Sequence, residues 1–163
     1  MSRAHLLRIR LLLSIFVLGH VASGLTAIPL QWEVGLLERW VGKITFIAQA
    51  MPGLVSWIRC VNEGVPNGYG KYPFLAYGTD WLAFGHMAIA VAFLGPLRDP
   101  IRNVWVIEFG MIACVLVLPW ALLFGPHRGI PPGWTLIDMS FGVLGFLPLW
   151  FARRSTLEHV KEV

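Results

Sequence analysis

Four long apolar stretches constrain what this chain can fold into. They cover residues 6–28, 80–97, 100–124 and 134–151. A helix needs about 20 apolar residues to cross the roughly 30 Å hydrocarbon core of a bilayer, so two stretches suffice easily and two are barely long enough. Inside lipid every backbone polar group must be bonded within the protein, which favours helices for such segments. The sequence therefore predicts an all-α polytopic membrane protein, with four transmembrane helices bundled in one domain over residues 1–163.

The composition supports a membrane protein and argues against a soluble domain or a nucleic-acid-binding protein. Only 13% of the 163 residues are charged, against about 25% in soluble domains. The net charge is +4, but the basic residues lie mostly beside the apolar stretches and form no basic stripe, so we expect no nucleic-acid partner. The two cysteines, Cys60 and Cys114, form no disulfide framework or metal motif.

The basic, apolar N-terminus could also be a signal peptide, but its apolar run continues to residue 30, which favours an uncleaved first span.

The distribution of basic residues predicts the orientation in the membrane. Cytoplasmic segments next to spans carry an excess of Lys and Arg. One side of the predicted bundle has eight such residues in short segments, and the other has five spread over a longer stretch. We therefore expect both termini to be cytoplasmic. The eight are Arg3, Arg8, Arg10, Arg98, Arg102, Arg153, Arg154 and Lys161.

The long connection, residues 31–79, is predicted to lie on the outer side. Trp32, Leu36 and Trp40 recur at helical spacing, which indicates an amphipathic helix in the outer membrane interface. A short helix is expected over residues 54–61. Residues 62–77 are rich in Gly, Pro and Tyr and predict an ordered loop above the bundle.

Each predicted span carries one ionisable residue, and such residues in a membrane are costly and often functional. They are His20, His86, Glu108 and Asp138. At about 1.5 Å of rise per residue, His86 lies about 9 Å and His20 about 13 Å below the outer boundary. Glu108 lies in the inner half, where Arg98, Arg102 or an N-terminal arginine is its expected partner.

His20 and His86 are the candidate internal pair. Both have small neighbours at helical spacing, which indicates that they face other helices. Two imidazoles from different helices could ligate a haem b iron, or bind a quinone or a lipid. A hydrogen-bonded packing role is the alternative for each histidine. The cofactor stays undetermined, and no metal site is predicted.

A second hypothesis is an outer-facing polar pocket that binds or acts on a lipid. Asp138 has a competing structural interpretation, because Thr135 and Asp138 have the spacing of a capping box at a helix start. The candidate pocket residues, besides His86, are Asp80, His127, Asp138, Tyr69, Tyr72 and Tyr77.

No enzyme motif supports a named reaction. GxSxG, HExxH, Walker A and GxGxxG are absent from the sequence. Small size and a Trp-rich exterior make a non-catalytic accessory or assembly subunit of a membrane complex the leading hypothesis, with a membrane-protein partner or a homo-oligomer. A haem b, quinone or lipid-binding protein is the first alternative, and a membrane enzyme acting on lipid is the second.

Three strings in the second half carry a resemblance to a known family. They are YPFLAYGTDWLAFGH, GPLRDPIRNVWVIEFGMIACV and RGIPPGWTLIDMSFGVLGFLPLW. They resemble a family of uncharacterised bacterial inner-membrane proteins with four spans. The resemblance covers spans two to four and implies a location in the bacterial inner (cytoplasmic) membrane. It implies no activity and no functional residues.

Overall fold

The computed structural model describes residues 3–41 and 43–161, and leaves out the side chains of residues 45, 47, 48 and 159–161. Lys161 is therefore described by its backbone alone. The described residues form helices and no strand, with one 3-10 turn at Pro73–Leu75. The helices are α1 Arg3–Thr26, α2 Leu30–Val41, α3 Thr45–Ala50, α4 Pro52–Lys71, α5 Ala76–Ala92, α6 Leu94–Arg98, α7 Val104–His127 and α8 Pro132–Lys161.

Four helical segments in the described part are long and apolar enough to cross a membrane, which confirms the predicted all-α polytopic bundle. They cover Arg3–Thr26, Pro73–Arg98, Val104–His127 and Pro132–Glu158. These segments indicate an integral membrane protein.

The third span begins later than the sequence predicts. Residues 100–103 form a turn, and α7 starts at Val104. The carboxylate Oδ1 of Asp99 accepts the backbone N–H groups of Ile101 at 3.2 Å and Arg102 at 3.1 Å. The Asp99–Pro100 pair therefore stabilises the turn between α6 and α7 instead of starting α7.

The four spanning helices form two pairs, α1 with α5 and α7 with α8. The pairs join near the chain termini, which we call the terminal end, through the contact of α1 with α8. Phe93, which follows α5, is fully buried there. The core of this end also contains Ile9, Leu13, Val106, Ile107, Cys114, Leu149 and Ala152.

The opposite end carries α2–α4 and the α7–α8 turn, and we call it the hairpin end. The close contacts between spanning helices at this end lie within each of the two pairs. Gly24 of α1 contacts His86 of α5, and Gly125 of α7 contacts Thr135 of α8. Helices α5 and α7 have almost no direct contact. The two pairs consequently separate toward the hairpin end and leave a cleft between them.

Helices α2 and α4 pack against each other at the hairpin end. Glu38 of α2 accepts a hydrogen bond from Asn62 of α4 and lies 3.8 Å from Arg59. Trp57 of α4 contacts Trp134 of α8 with ring centroids 4.7 Å apart, which attaches the α2–α4 unit to the bundle.

The predicted loop over residues 62–77 is wrong for most of its length, because α4 continues to Lys71. Buried or half-buried apolar positions recur at helical spacing at Leu54, Ile58, Val61 and Val65. Helix α4 packs on α2, and Leu54 contacts Gly133 of α8. Tertiary burial of an amphipathic face overrides the weak helix propensity of Gly and Pro. The exposed face of α4 is polar and includes Ser56, Arg59, Cys60, Glu63 and Asn67.

Candidate functional site

His20 and His86 meet across the contact between α1 and α5. Their imidazole rings stack with centroids 4.5 Å apart and an interplanar angle of 29°. Phe16, one turn before His20, stacks on the other side of the His20 ring at 5.7 Å and 11°. Gly24 makes the close approach of α1 to His86 possible, because a Cβ at position 24 would overlap the Cβ of His86. The structure therefore brings together the two histidines that the sequence singles out.

The two imidazoles differ in their hydrogen bonding. The carbonyl oxygen of Leu82 accepts a hydrogen bond from Nδ1 of His86 at 2.8 Å, so Nδ1 carries the proton and Nε2 is free to accept when the ring is neutral. Nε2 of His20 is buried and has no hydrogen-bond partner among the described residues. An unsatisfied buried polar atom costs about 1–3 kcal/mol. The side chain of His20 therefore lines the cleft and carries a buried nitrogen that has no hydrogen-bond partner among the described residues.

The cleft between the two helix pairs has a volume of about 420 Å³, within the roughly 300–1,000 Å³ of small-molecule sites. His20, His86 and Ser23 bring polar atoms to one wall. The opposite wall consists of small residues of α7 and α8, and most of the remaining lining is apolar. These small residues are Gly110, Ala113, Cys114, Gly142 and Gly145.

The rim of the cleft faces the lipid side of the bundle. Ile15 of α1, Phe109 of α7 and Leu144 of α8 line the cleft and are also largely exposed. Since α5 and α7 have almost no direct contact, no packed helix seam closes the cleft between them. A ligand dissolved in the bilayer can therefore reach the histidines without crossing water.

Comparisons with protein-family models, with curated proteins and with solved structures found no match to this chain. The resemblance to bacterial four-span proteins therefore stays a prediction. The function has to be argued from the cleft itself.

The geometry of the histidine pair does not fit a haem held between both rings. In a bis-histidine haem, each imidazole points a nitrogen at an iron about 2 Å away, and the macrocycle separates the rings. Here the rings lie face to face at 4.5 Å, which leaves no space between them for a porphyrin.

The residues of the predicted outer polar pocket lie at the hairpin end, but no hydrogen bond or ion pair joins them within the described part of the chain. Nδ1 of His127 donates to Leu123 O at 2.8 Å on an exposed surface. The Tyr69 hydroxyl lies 3.4 Å from the Thr79 hydroxyl. Tyr77 contacts Trp81 edge to face, Tyr72 contacts Phe74, and Asp80 is exposed. Of the predicted pocket residues, His86 alone lines the histidine cleft.

Asp138 is not the helix cap that its spacing predicts. Helix α8 begins at Pro132, so Asp138 lies in its second turn. The Thr135 hydroxyl donates back to Pro131 O at 3.3 Å. Within the described residues Asp138 makes no hydrogen bond or ion pair. It lies one helical turn before Gly142, which lines the cleft.

Glu108 has an arginine partner, but not one that the sequence analysis proposed. Its Oε1 accepts a hydrogen bond from Nε of Arg153 at 2.8 Å and lies 2.7 Å from Nη2 of Arg153 in an ion pair. Arg98 and Arg102 lie on the α5–α7 connection, whereas Arg153 lies on α8, the helix that packs most extensively on α7. The predicted structural role of Glu108 as an ion-pair partner is thus supported.

Several lining residues carried no functional signal in the sequence. Phe16 continues the ring stack, and Gly110 and Cys114 form the facing wall with the two glycines of α8. Gly142 and Gly145 of α8 contact Cys114 of α7. That this wall faces the histidines follows only from the pairing of the helices.

Proposed function

We propose that this integral membrane protein binds an isoprenoid quinone from the bilayer in the cleft between its two helix pairs. The observation that carries the proposal is the stacked pair of His20 and His86 on the wall of an otherwise largely apolar cleft, with Nε2 of His20 buried and unpartnered.

The chemistry of the cleft supports this ligand class. A quinone has a planar ring with carbonyl oxygens that accept hydrogen bonds, and an apolar tail. Nε2 of His20 can donate one such bond when it carries the proton. The small-residue wall offers a flat surface for the ring, and the lipid-facing rim accommodates the tail. Sites of this kind combine apolar lining with a few placed polar groups.

A binding experiment tests the proposal with phenylalanine substitutions. The purified protein in mild detergent is titrated with a short-chain ubiquinone, and tryptophan fluorescence quenching is followed. His20→Phe keeps an aromatic ring in the stack but removes the nitrogen. Loss of one hydrogen bond should weaken binding about tenfold. His86→Phe should weaken it too, because it removes the second imidazole from the wall.

His127→Phe is the matched control. His127 makes the same Nδ1 bond to a carbonyl one turn earlier as His86 does, but it lies outside the cleft. Its replacement should leave quinone binding unchanged. Absence of saturable quinone binding by the native protein would overturn the proposal, and displacement of bound phospholipid instead would assign the cleft to lipid.

The accessory-subunit hypothesis stays a prediction. The exposed aromatic side chains that motivated it, such as Trp105 and Trp120 of α7, lie on a spanning helix. Contact with lipid explains their exposure as well as contact with a protein does.

A further inference from the structure

A second groove, on the outer face of the α7–α8 pair, lies apart from the histidine cleft. Its volume is about 400 Å³, and it shares no lining residue with the cleft. Glu108 and Arg153 close it at the terminal end. Its walls are otherwise apolar, formed by Met111, Ile112, Val115, Leu116 and Phe146.

The groove follows α7 from the ion pair along the apolar part of the span. From Glu108 to Leu116 the α7 wall rises about 12 Å at 1.5 Å per residue, running from the ion pair toward the middle of the span. Ile112 and Leu116 are largely exposed, so this face meets the lipid. The charged end begins about one turn inside the start of α7 at Val104, near the level expected for lipid headgroups.

The ion pair leaves hydrogen-bonding capacity unused on both sides. Nε of Arg153 donates to Oε1 of Glu108, and Nη2 lies 2.7 Å from the same oxygen. Neither Oε2 of Glu108 nor Nη1 of Arg153 has a partner among the described residues. The side chains are 40% and 37% exposed, so both unused groups are within reach of a ligand.

We propose that this groove binds a phospholipid with a phosphoethanolamine headgroup. The arginine donates to the lipid phosphate through Nη1, and the glutamate accepts from the lipid ammonium through Oε2. A carboxylate beside a guanidinium is charge-complementary to a zwitterionic headgroup. Charge-assisted hydrogen bonds to the ammonium distinguish ethanolamine from choline, which has no N–H group.

Lipid competition on the full-length protein tests this site. The protein is reconstituted with equal amounts of phosphatidylethanolamine, phosphatidylcholine and phosphatidylglycerol, and bound lipids are counted by native mass spectrometry. We expect phosphatidylethanolamine to be retained about tenfold over phosphatidylcholine, the effect of one hydrogen bond to a charged group. Glu108→Gln should reduce that preference to about one.

Two further variants complete the lipid-competition experiment: one is a control for loss of a nearby arginine, and the other blocks the groove. Arg154→Gln removes the neighbouring arginine, which pairs with Glu158 and does not line the groove, and should leave the preference unchanged. Val115→Trp fills the groove from an exposed position without touching the ion pair, and should reduce retention of all phospholipids there. Val115→Trp tests whether phospholipid occupies the groove even if Glu108→Gln fails to fold.

Equal retention of the two zwitterionic lipids by the native protein would overturn the proposal. So would an unchanged preference in Glu108→Gln, or unchanged retention in Val115→Trp. A higher retention of phosphatidylglycerol would assign the groove to anionic lipid instead.

Discussion

The imidazole of His20 stacks on that of His86 with ring centroids 4.5 Å apart, and Gly24 makes this approach feasible. The contact joins α1 to α5 next to the cleft. It couples the stability of one helix pair to the geometry of the candidate binding site.

Gly24→Ala should separate α1 from α5 and disturb the histidine stack. The added Cβ would overlap the Cβ of His86 and would lie 2.9 Å from its Cγ. Overpacking of this kind costs about 1–3 kcal/mol. Thermal unfolding in mild detergent should show a lower Tm. Gly19→Ala is the matched control, because an added Cβ there meets no atom within 4 Å. Equal Tm values for the two variants would contradict the packing described here.

Gly142→Ala should destabilise the other helix pair. Its Cβ would lie 2.5 Å from the backbone oxygen of Cys114, and backbone atoms cannot move aside as a flexible side chain can. The expected loss is about 1–3 kcal/mol in the free energy of unfolding. Denaturation in detergent mixtures measures it. Gly85→Ala, with no atom within 4 Å, should unfold like the native protein.

The amino-acid sequence predicts the spanning helices well because membrane crossing depends on a local property, the length of an apolar stretch. The sequence also singles out His20 and His86 as a candidate internal pair. The helical segment that carries His86 begins at Pro73, rather than near Asp80 as the sequence predicts. The short helix predicted over residues 54–61 is the first half of α4, and the second half escaped prediction because tertiary packing outweighs the local preference of its Gly and Pro residues.

Other features depend on which helices become neighbours. The sequence predicts Arg98, Arg102 or an N-terminal arginine as the partner of Glu108, whereas packing of α7 on α8 selects Arg153. The same packing places the wall of Gly142 and Gly145 opposite the histidines. Among apolar side chains many helix pairings are nearly equivalent in lipid, where close approach of small residues decides association.

The contact of Trp57 with Trp134 should hold the α2–α4 unit against the bundle. An aromatic pair contributes about 1 kcal/mol beyond the area it buries, so Trp57→Ala should increase local opening of this unit. Amide hydrogen exchange should rise in residues 30–71, with the core around Leu13 and Leu149 unchanged. Trp32→Ala is the control, since Trp32 is 61% exposed. Faster exchange throughout the chain in Trp57→Ala would instead make this contact part of the global core.

Cys60 provides a direct test of the predicted orientation. It lies on the polar exposed face of α4 at the hairpin end, whereas Cys114 is buried between helices. If both termini are cytoplasmic, a membrane-impermeant maleimide should label right-side-out vesicles and spare inside-out ones. Cys60→Ser should abolish that labelling. Adding Arg154→Cys to that variant, at an exposed position of the terminal end, should reverse the pattern. Labelling of Cys60 in inside-out vesicles alone would place the hairpin end in the cytoplasm and refute the orientation inferred from the basic residues.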